Sequence, residues 1–283
     1  MPQQRLSRTT ENQLGVFIEE GLIVHDGEEE RKFLSRISAC RLNVYCHVFR
    51  SAPAFAGDFR TGTNLGDVIK LYEFDRDLRL LVFDAIERIE INMRKQFSDC
   101  IMKEYGPFGH LEGRNFHPGF VNPHNSRRTS HSDWIERLRA KVSNPNTFDG
   151  IPICQLTEKM TFSLLIHGII GMRQNDKGFI ATRFTLRPHQ IGLWLKALGL
   201  SRNICSHHGR LWNQKFTSLN NIHNREGKIL DLLLIIGYLL QGIENCGRWK
   251  RSIEDLLLQI EENGEWNESI GLSDNWQEHA YWR

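Results

Sequence analysis

The stretch "LYEFDRDLRLLVFDAIERIEINMR", residues 71–94, lies within the longest helical pattern of this 283-residue chain. Apolar residues recur at steps of three or four and form one stripe, a pattern typical of a helix with one buried face. The stripe consists of Leu71, Phe74, Leu78, Leu81, Ala85, Ile89, Met93, Phe97 and Ile101. Three pairs place an acid four residues before an arginine, the favourable order on a helix: Asp75–Arg79, Asp84–Arg88 and Glu90–Arg94. The pattern predicts one helix from Leu65 to the stop at Tyr105-Gly106-Pro107.

Shorter helical patterns occur on both sides of this long one. They cover Glu30–Phe49, His131–Val142, Thr157–Met172, Pro188–His208, Glu226–Glu244 and Arg251–Asn263. No run of alternating β-branched residues argues for a sheet. The expected fold is therefore all-α, a helical bundle built on one very long helix with an irregular insert near 106–130. We expect a single domain, with an N-terminal helical segment of about 1–62, a core of about 63–246 and a C-terminal helix and tail of 247–283.

Composition is typical of a soluble globular protein, with 40% hydrophobic and 25% charged residues. A net charge of +2 does not mark the whole chain as a nucleic-acid binder, so any basic surface must be local. The six cysteines form no C-x-x-C pair and the N-terminus has no apolar leader, which indicates reduced thiols in a cytoplasmic protein. The most apolar run, Ile229–Ile243, contains Asp231 and is too short for a bilayer, so we interpret it as a core helix and expect no membrane association.

The segment "SRNICSHHGRLWN", residues 201–213, is the main candidate for chemistry. A metal site is disfavoured because Cys205, His207 and His208 are too close in sequence and lack a fourth ligand nearby, so we expect no cofactor. A structural interpretation remains open, since cationic side chains are favourable at a helix C-terminus. The third interpretation is catalysis on RNA.

Arg202 and His207 are the residues that catalysis on RNA would use. An arginine neutralises charge that develops on phosphate, and a histidine transfers protons near neutral pH. Together they suffice for cleavage through the ribose 2′-hydroxyl without a metal. On an ideal helix, however, the two residues diverge by roughly 140°. The helix must be distorted at its end, Arg202 must reach around it, or two copies must assemble the site. A half-buried arginine also needs a carboxylate partner, for which Asp84, Glu87 and Glu90 are candidates.

Several stretches resemble one family. The pattern Arg-Asn-x-x-x-His resembles the signature of HEPN (higher eukaryotes and prokaryotes nucleotide-binding) ribonuclease domains, and "LSRNICSHHGRLWN" looks like a segment of bacterial abortive-infection proteins of the Abi D/F type. The long-helix stretch, "KEYGPFGHLE", "EKMTFSLL" and "GLSDNWQEHAYW" are similar to family landmarks in the same order, whereas "CRLNVYCHVF" (40–49) is only loosely similar. The resemblance implies a HEPN fold, anti-phage defence and a homodimer that brings two Arg/His sets into one cleft.

The resemblance also implies residue roles. Arg202 and His207 match the defining pair, Asn203 matches the polar residue that commonly follows the arginine, and His208 and Arg210 match the family's extended signature. His207 would act as general acid or base, Arg202 would stabilise the phosphorane, and Asn203 would orient the reacting groups. The expected products are a 2′,3′-cyclic phosphate and a 5′-hydroxyl. Family members are linked to RNA partners, so a small regulatory RNA is a further expected partner.

A second candidate surface lies in "HNSRRTSHSDWIERLRAK", residues 124–141. Its cationic residues could bind an RNA backbone, although a solvated face is the simpler interpretation: Arg127, Arg128, Arg137, Arg139 and Lys141. Trp266, Trp276 and Trp282 are interpreted as anchors for the C-terminal tail rather than as platforms for bases. The alternative function is a non-catalytic RNA-binding module of the same fold.

Overall fold

A computed structural model describes residues 10–25, 27–51, 57–124, 129–220, 226–260, 264–273 and 275–283. Within these ranges the chain is helical, with isolated β-bridges but no strand, so the all-α class is confirmed. The helices are α1 (Thr10–Glu19), α2 (Glu28–Arg36), α3 (Ala39–Cys46), α4 (Leu65–Tyr105), α5 (Pro118–Val121), α6 (His131–Arg139), α7 (Ile153–Lys159), α8 (Phe162–Gly171), α9 (Gln174–Thr182), α10 (Pro188–Ser206), α11 (Ile229–Gln241), α12 (Gly247–Leu258) and α13 (Gly264–Ile270).

Helix α4 has the predicted bounds and buries the predicted stripe. Eight of its nine apolar residues are buried, and Leu81 is half-buried. All three predicted i,i+4 ion pairs form. The helix ends where Gly106, at a φ of +80°, donates its N–H to the carbonyl of Met102 over 3.0 Å. This left-handed conformation favours glycine, which explains why the helix stops there.

Two helices that the sequence pattern predicted as continuous are each two helices. The predicted helix Glu30–Phe49 breaks between α2 and α3, where the Ser38 side chain accepts the N–H of Arg41 over 3.3 Å. The predicted helix Thr157–Met172 breaks between α7 and α8, where the hydroxyl of Thr161 accepts the N–H of Leu164 over 3.3 Å. Each hydroxyl caps a new helix start, while the apolar spacing continues across the break and conceals it.

Four helices were missed by the sequence pattern: α1, α5, α9 and α13. Others start and end within a few residues of their predicted bounds, and Pro188 occupies the first turn of α10 as expected. Asp231, the charged residue of the most apolar run, is buried and accepts the backbone N–H of Lys228 over 2.9 Å at the start of α11. Its carboxylate thus caps the helix.

Backbone packing divides the chain into two compact units, residues 1–79 and 80–283, with the boundary inside α4. The segment bounds expected from the sequence stay a prediction. In the first unit, α1 packs against α3, and the Tyr72 ring lies edge-on to Phe33 and Tyr45 at centroid distances of 5.4 and 5.2 Å. Aromatic edges against faces are favourable beyond the apolar area that they bury.

A polar triad lies inside this first unit. The Tyr45 hydroxyl donates to Asp75 Oδ2 over 2.7 Å, and Arg79 Nη1 donates to the Tyr45 oxygen over 2.9 Å and also pairs with Asp75. All three side chains are buried. Burial, followed by the Asp75 carboxylate, raises the pKa of Tyr45, so its hydroxyl stays a donor. The ion pair is stabilising only as a complete set, because either charge alone would be buried without compensation.

In the second unit, α8 is held between α4, α6 and α10. A Cβ on Gly168 would lie 3.0 Å from both the Phe97 ring of α4 and the Trp134 ring of α6. The Trp134 indole donates to the carbonyl of Leu164 over 2.9 Å, which ties α6 to α8. On the other side of α8, a Cβ on Gly199 of α10 would lie 2.7 Å from Ile166. The two glycines therefore allow the close helix approach that fixes the position of α10.

The C-terminal tail is anchored by its tryptophans. Trp266, Trp276 and Trp282 are buried, with Trp282 only 3% exposed. The Trp282 indole donates to Glu254 over 2.8 Å, and its ring lies 5.8 Å from that of Trp249. Their burial agrees with the interpretation of these residues as anchors.

The irregular insert contains 3₁₀ turns and the short helix α5. His131, at the start of α6, donates its Nε2–H to the carbonyl of His110 over 2.9 Å. His110 itself is fully buried, with its ring edge-on to Phe148. Burial, followed by the nearby His131, lowers the pKa of His110 from its ordinary value to about 4.

The triad gives a prediction about stability. Arg79→Met leaves the Asp75 carboxylate buried without its partner and should lower the free energy of unfolding by about 3–5 kcal/mol. Asp75→Leu combined with Arg79→Met removes both charges and should recover most of the loss. Arg76→Met, which removes an exposed arginine from the same helix turn, should cost less than about 1 kcal/mol. Urea unfolding measures all three; equal losses for the single and double variants would contradict the idea.

His110 gives a prediction about pH. Its folded pKa lies below the unfolded value near 6.5, so the unfolded chain takes up the proton first as the pH falls. Its contribution to stability should be complete above pH 6.5 and be lost progressively down to about pH 4, up to about 3 kcal/mol. When the free energy of unfolding is plotted against pH across this range, the slope should be shallower for His110→Gln than for the parent chain. The exposed His189→Gln variant should keep the slope of the parent chain, and a slope unchanged in His110→Gln would refute this origin.

Candidate functional site

Helix α10 carries the predicted catalytic segment and stays regular up to its end. The N–H of His207 still donates to the carbonyl of Asn203 over 3.0 Å. The turn that ends the helix comes after it, with His208 at a φ of +56° and Gly209 donating its N–H to Ile204 over 2.7 Å. Arg202 and His207 are therefore separated by ordinary helix geometry, and the roughly 140° between them remains in one copy of the chain.

Arg202 faces α4. It lines a groove of about 300 Å³ together with two apolar side chains, three glutamates and another arginine: Phe83, Ile91, Glu87, Glu90, Glu158 and Arg94. We call this the acidic groove. The guanidinium carbon of Arg202 lies 5.9 Å from the centroid of the Phe83 ring, a cation–π arrangement. Arg202 is half-buried.

The charges of the acidic groove are only partly paired. Glu90 pairs with Arg94, whose guanidinium also donates to the carbonyl of Met160 over 2.9 Å. Of the predicted carboxylate neighbours of Arg202, Glu87 and Glu90 line the groove, whereas Asp84 pairs with Arg88 instead. No carboxylate of the described residues forms an ion pair with Arg202. The groove therefore surrounds this arginine with excess negative charge.

Asn203, the next residue, lines a different cavity on the other side of α10. This cavity has a volume of about 660 Å³ and is formed by α8, α9, α10 and the start of α5. Its polar residues are His117, Thr129, Ser163, His167, Lys177, Lys196 and Asn203. We call it the basic cleft, because its described lining includes two lysines and two histidines but no carboxylate. Arg202 and Asn203 are thus placed on separate surfaces.

The remaining residues of the segment lie at the end of α10. His207 and His208 are exposed, Arg210 is half-buried, and Cys205 is buried and packs in the core. Leu211 and Trp212 are buried at once after the turn. They fix the direction in which the chain leaves the helix.

Sequence reasoning missed four residues of the basic cleft: His117, His167, Lys177 and Lys196. They come from different elements and span 80 positions of the chain, so no motif unites them. The only available signal was the helical spacing of Lys196, Asn203 and His207. Steps of seven and four residues place the three within about 40° of one another on α10.

The second predicted RNA-binding set is dispersed. Arg127 and Arg128 lie outside the described residues. Arg137 and Lys141 are exposed. The Arg139 guanidinium lies 4.5 Å over the ring of Phe148 and pairs with Asp149 at 3.0 Å, so it holds the turn that follows α6. A role in RNA binding stays a prediction for these residues.

Two further observations concern metals and membranes. Over the described ranges, no three His, Cys, Asp or Glu side chains lie close enough together to hold a metal ion. The helices described here include none with the length and apolar character needed to cross a bilayer.

Residues 32–213 match the sequence model of the family described as Abi-like protein, and this match covers well over half of the chain. The chain belongs to the Abi-like protein family. The matched region includes α4 and α10 and ends at the last residue of the candidate segment. Searches of curated proteins and of solved structures each found no match. The resemblance to Abi-like proteins is thus confirmed, whereas the HEPN assignment stays a prediction.

The backbone of His208 gives a test of which histidine matters. A φ of +56° is costly for a residue with a Cβ and is the usual place for glycine after a helix. His208→Gly should raise the free energy of unfolding by up to about 1 kcal/mol. If His207 is the reacting residue, His208→Gly should also keep full activity; a stable but inactive His208→Gly protein would assign the proton transfer to His208. Thermal unfolding and an RNA cleavage assay on the same preparation measure both.

Proposed function

We propose that this Abi-like protein is an endoribonuclease of abortive-infection defence that needs no metal and cleaves RNA through the ribose 2′-hydroxyl. One observation carries the proposal. The Arg202-Asn-x-x-x-His207 segment lies at the end of α10, where Asn203 and His207 are exposed, and the face with these two residues continues into the basic cleft. An exposed histidine beside a positively charged cavity is suited to proton transfer at a bound phosphate.

The proposed reaction needs one base, one acid and one cation. His207 takes the proton of the 2′-hydroxyl, and the 2′-oxygen forms a bond to phosphorus. Arg202 stabilises the charge on the phosphorane, and Asn203 orients the phosphate. The bond from phosphorus to the 5′-oxygen then breaks, and that oxygen takes a proton from a protonated histidine. The products are a 2′,3′-cyclic phosphate and a 5′-hydroxyl.

A homodimer would supply the geometry that a single copy lacks. On one α10, Arg202 faces the acidic groove while His207 lies on the face of the basic cleft. If two copies met at their α10 ends, Arg202 of one copy and His207 of the other could approach the same phosphate. The second histidine would also provide the acid for the leaving 5′-oxygen. Such an enzyme would be held inactive in the cytoplasm by a regulatory RNA, a partner protein or the absence of a phage trigger.

Cleavage of a mixed cellular RNA pool by the purified protein, in EDTA, tests this function. The parent chain should leave 2′,3′-cyclic phosphate ends, while Arg202→Ala and His207→Ala should each lose activity by at least about 100-fold, typical of an acid–base or charge-stabilising residue. His189→Ala is the matched control, since it removes an exposed histidine from the other end of α10. Cleavage that survives both substitutions, or that ceases in EDTA, would refute the mechanism.

A second candidate function is a non-catalytic RNA-binding module. It is favoured by the acidic groove, because three glutamates around Arg202 oppose the approach of a phosphate from that side. On this alternative, RNA would be held by the basic cleft and Arg202 would serve the structure. The two functions are separated by measuring the toxicity and the RNA binding of the His207→Ala variant in cells. If the protein is an enzyme, the variant loses its toxicity but still binds RNA. If it is a binding module, toxicity and RNA binding change together or neither changes.

A further inference from the structure

The basic cleft has the charge and size of a site for a phosphorylated ligand. Lys196 is exposed and forms no ion pair with any described residue, and the described lining contains no carboxylate that would compete for it. A volume of about 660 Å³ lies in the usual range of small-molecule sites, roughly 300–1,000 Å³. Ile166, Ile170 and Leu200 give the cleft an apolar wall as well.

Lys177 is the more deeply placed of the two lysines. It is half-buried, and its ammonium donates to the carbonyl of Ile170 over 3.2 Å. An ammonium has three donors, so two remain for a ligand. Burial lowers the pKa of Lys177, which means that the charged form lacks part of the solvation it has in water. A bound anion would restore that stabilisation.

The two histidines of the cleft have opposite tautomers, fixed by the backbone. His117 Nδ1 accepts the N–H of Gly119 over 3.0 Å, so in the neutral ring the proton is on Nε2. His167 Nδ1 lies 2.7 Å from the carbonyl of Ser163, which can only accept, so its proton is on Nδ1 and Nε2 carries a lone pair. His117 therefore offers a donor suited to a phosphate oxygen. His167 offers an acceptor suited to a hydroxyl group, such as the ribose 2′-hydroxyl.

The cleft is aligned with His207. Lys196 and His207 are eleven residues apart, which places them within about 20° of each other on α10 and about 16 Å apart along its axis. Asn203 lies between them and lines the cleft. A strand with one phosphate at the lysines could thus extend along the same helix face to the histidine.

We propose that the basic cleft binds a single-stranded RNA segment, with Lys177, Lys196 and His117 on a phosphate and His167 on a ribose hydroxyl. That this segment leads to the bond cleaved at His207 rests on the proposed function; the binding itself does not. The apolar wall contacts a base, and the two lysines neutralise the backbone charge. The site thereby selects a strand whose bases are unpaired and accessible.

Binding of a fluorescein-labelled single-stranded oligoribonucleotide to the full-length His207→Ala protein tests the inference without cleavage. Lys196→Gln should weaken binding about tenfold, and Lys177→Gln combined with Lys196→Gln should weaken it by a further factor of about ten. Each substitution removes one charged hydrogen bond to a phosphate, and the loss of such a bond has an effect of about this size. In a plot of log K against the logarithm of the salt concentration, the slope for the double variant should be shallower than that of the parent by about 1.4. Thermal unfolding checks that the half-buried Lys177 variant folds, and the exposed Lys196→Gln variant keeps the test decisive if it does not.

The matched control is Lys95→Gln combined with Lys103→Gln, which removes two exposed lysines of α4 that do not line the cleft. Control and cleft variants that bind RNA equally well would overturn the inference. An oligodeoxyribonucleotide of the same sequence should bind the parent less tightly, and His167→Phe should abolish that preference. If inorganic phosphate or a mononucleotide displaces the RNA at comparable concentration, the ligand of the cleft is a free phosphorylated molecule and not an RNA strand.

Failure of this inference is distinguishable from failure of the proposed function. If the parent protein cleaves RNA but the cleft variants bind and cleave as it does, the cleft is excluded and the ribonuclease stands. If the parent protein cleaves nothing and His207→Ala leaves its toxicity in cells unchanged, yet RNA binding depends on Lys177 and Lys196, the cleft is established and the ribonuclease is refuted.

Discussion

The apolar stripe of α4 has to be covered along its length, and the helices of the second unit are placed by this requirement. Phe97 of α4 meets Trp134 of α6 at a centroid distance of 6.2 Å, and Gly168 of α8 lies so close to both rings that a Cβ would crowd them. Farther along the chain, the Trp249 indole donates to the carbonyl of Leu81 over 2.9 Å. Aromatic side chains thus supply both the buried area and the few directional contacts that set the helix positions.

Helix α10 inherits its position from α8, and its two sides differ in charge. One side faces α4 and presents Arg202 to the acidic groove. The other side contributes Lys196 and Asn203 to the basic cleft. A single helix thereby separates an environment that repels phosphate from one that attracts it. The chemistry proposed for Arg202 consequently requires a phosphate brought by a second copy, whereas the chemistry proposed for His207 is compatible with RNA held by its own cleft.

The sequence predicts well whatever is encoded by local spacing. The bounds of α4, its three ion pairs and the first turn of α10 all follow from residues within a few positions of each other. The breaks at Ser38 and Thr161 were missed, because a capping hydroxyl is a weak signal beside a continuous apolar pattern. The basic cleft could not be predicted, because its lysines and histidines come from α8, α9, α10 and the start of α5 and meet only when these elements pack together.

The shared face of Lys196, Asn203 and His207 also restricts how this segment can change in evolution. Inserting or deleting one residue between Lys196 and His207 would rotate the histidine by about 100° relative to the lysine. Only changes of three or four residues, close to a whole turn, would keep the two on one side of α10. The eleven-residue interval can therefore change in length by about one helical turn, whereas insertion or deletion of a single residue would separate the lysine and the histidine.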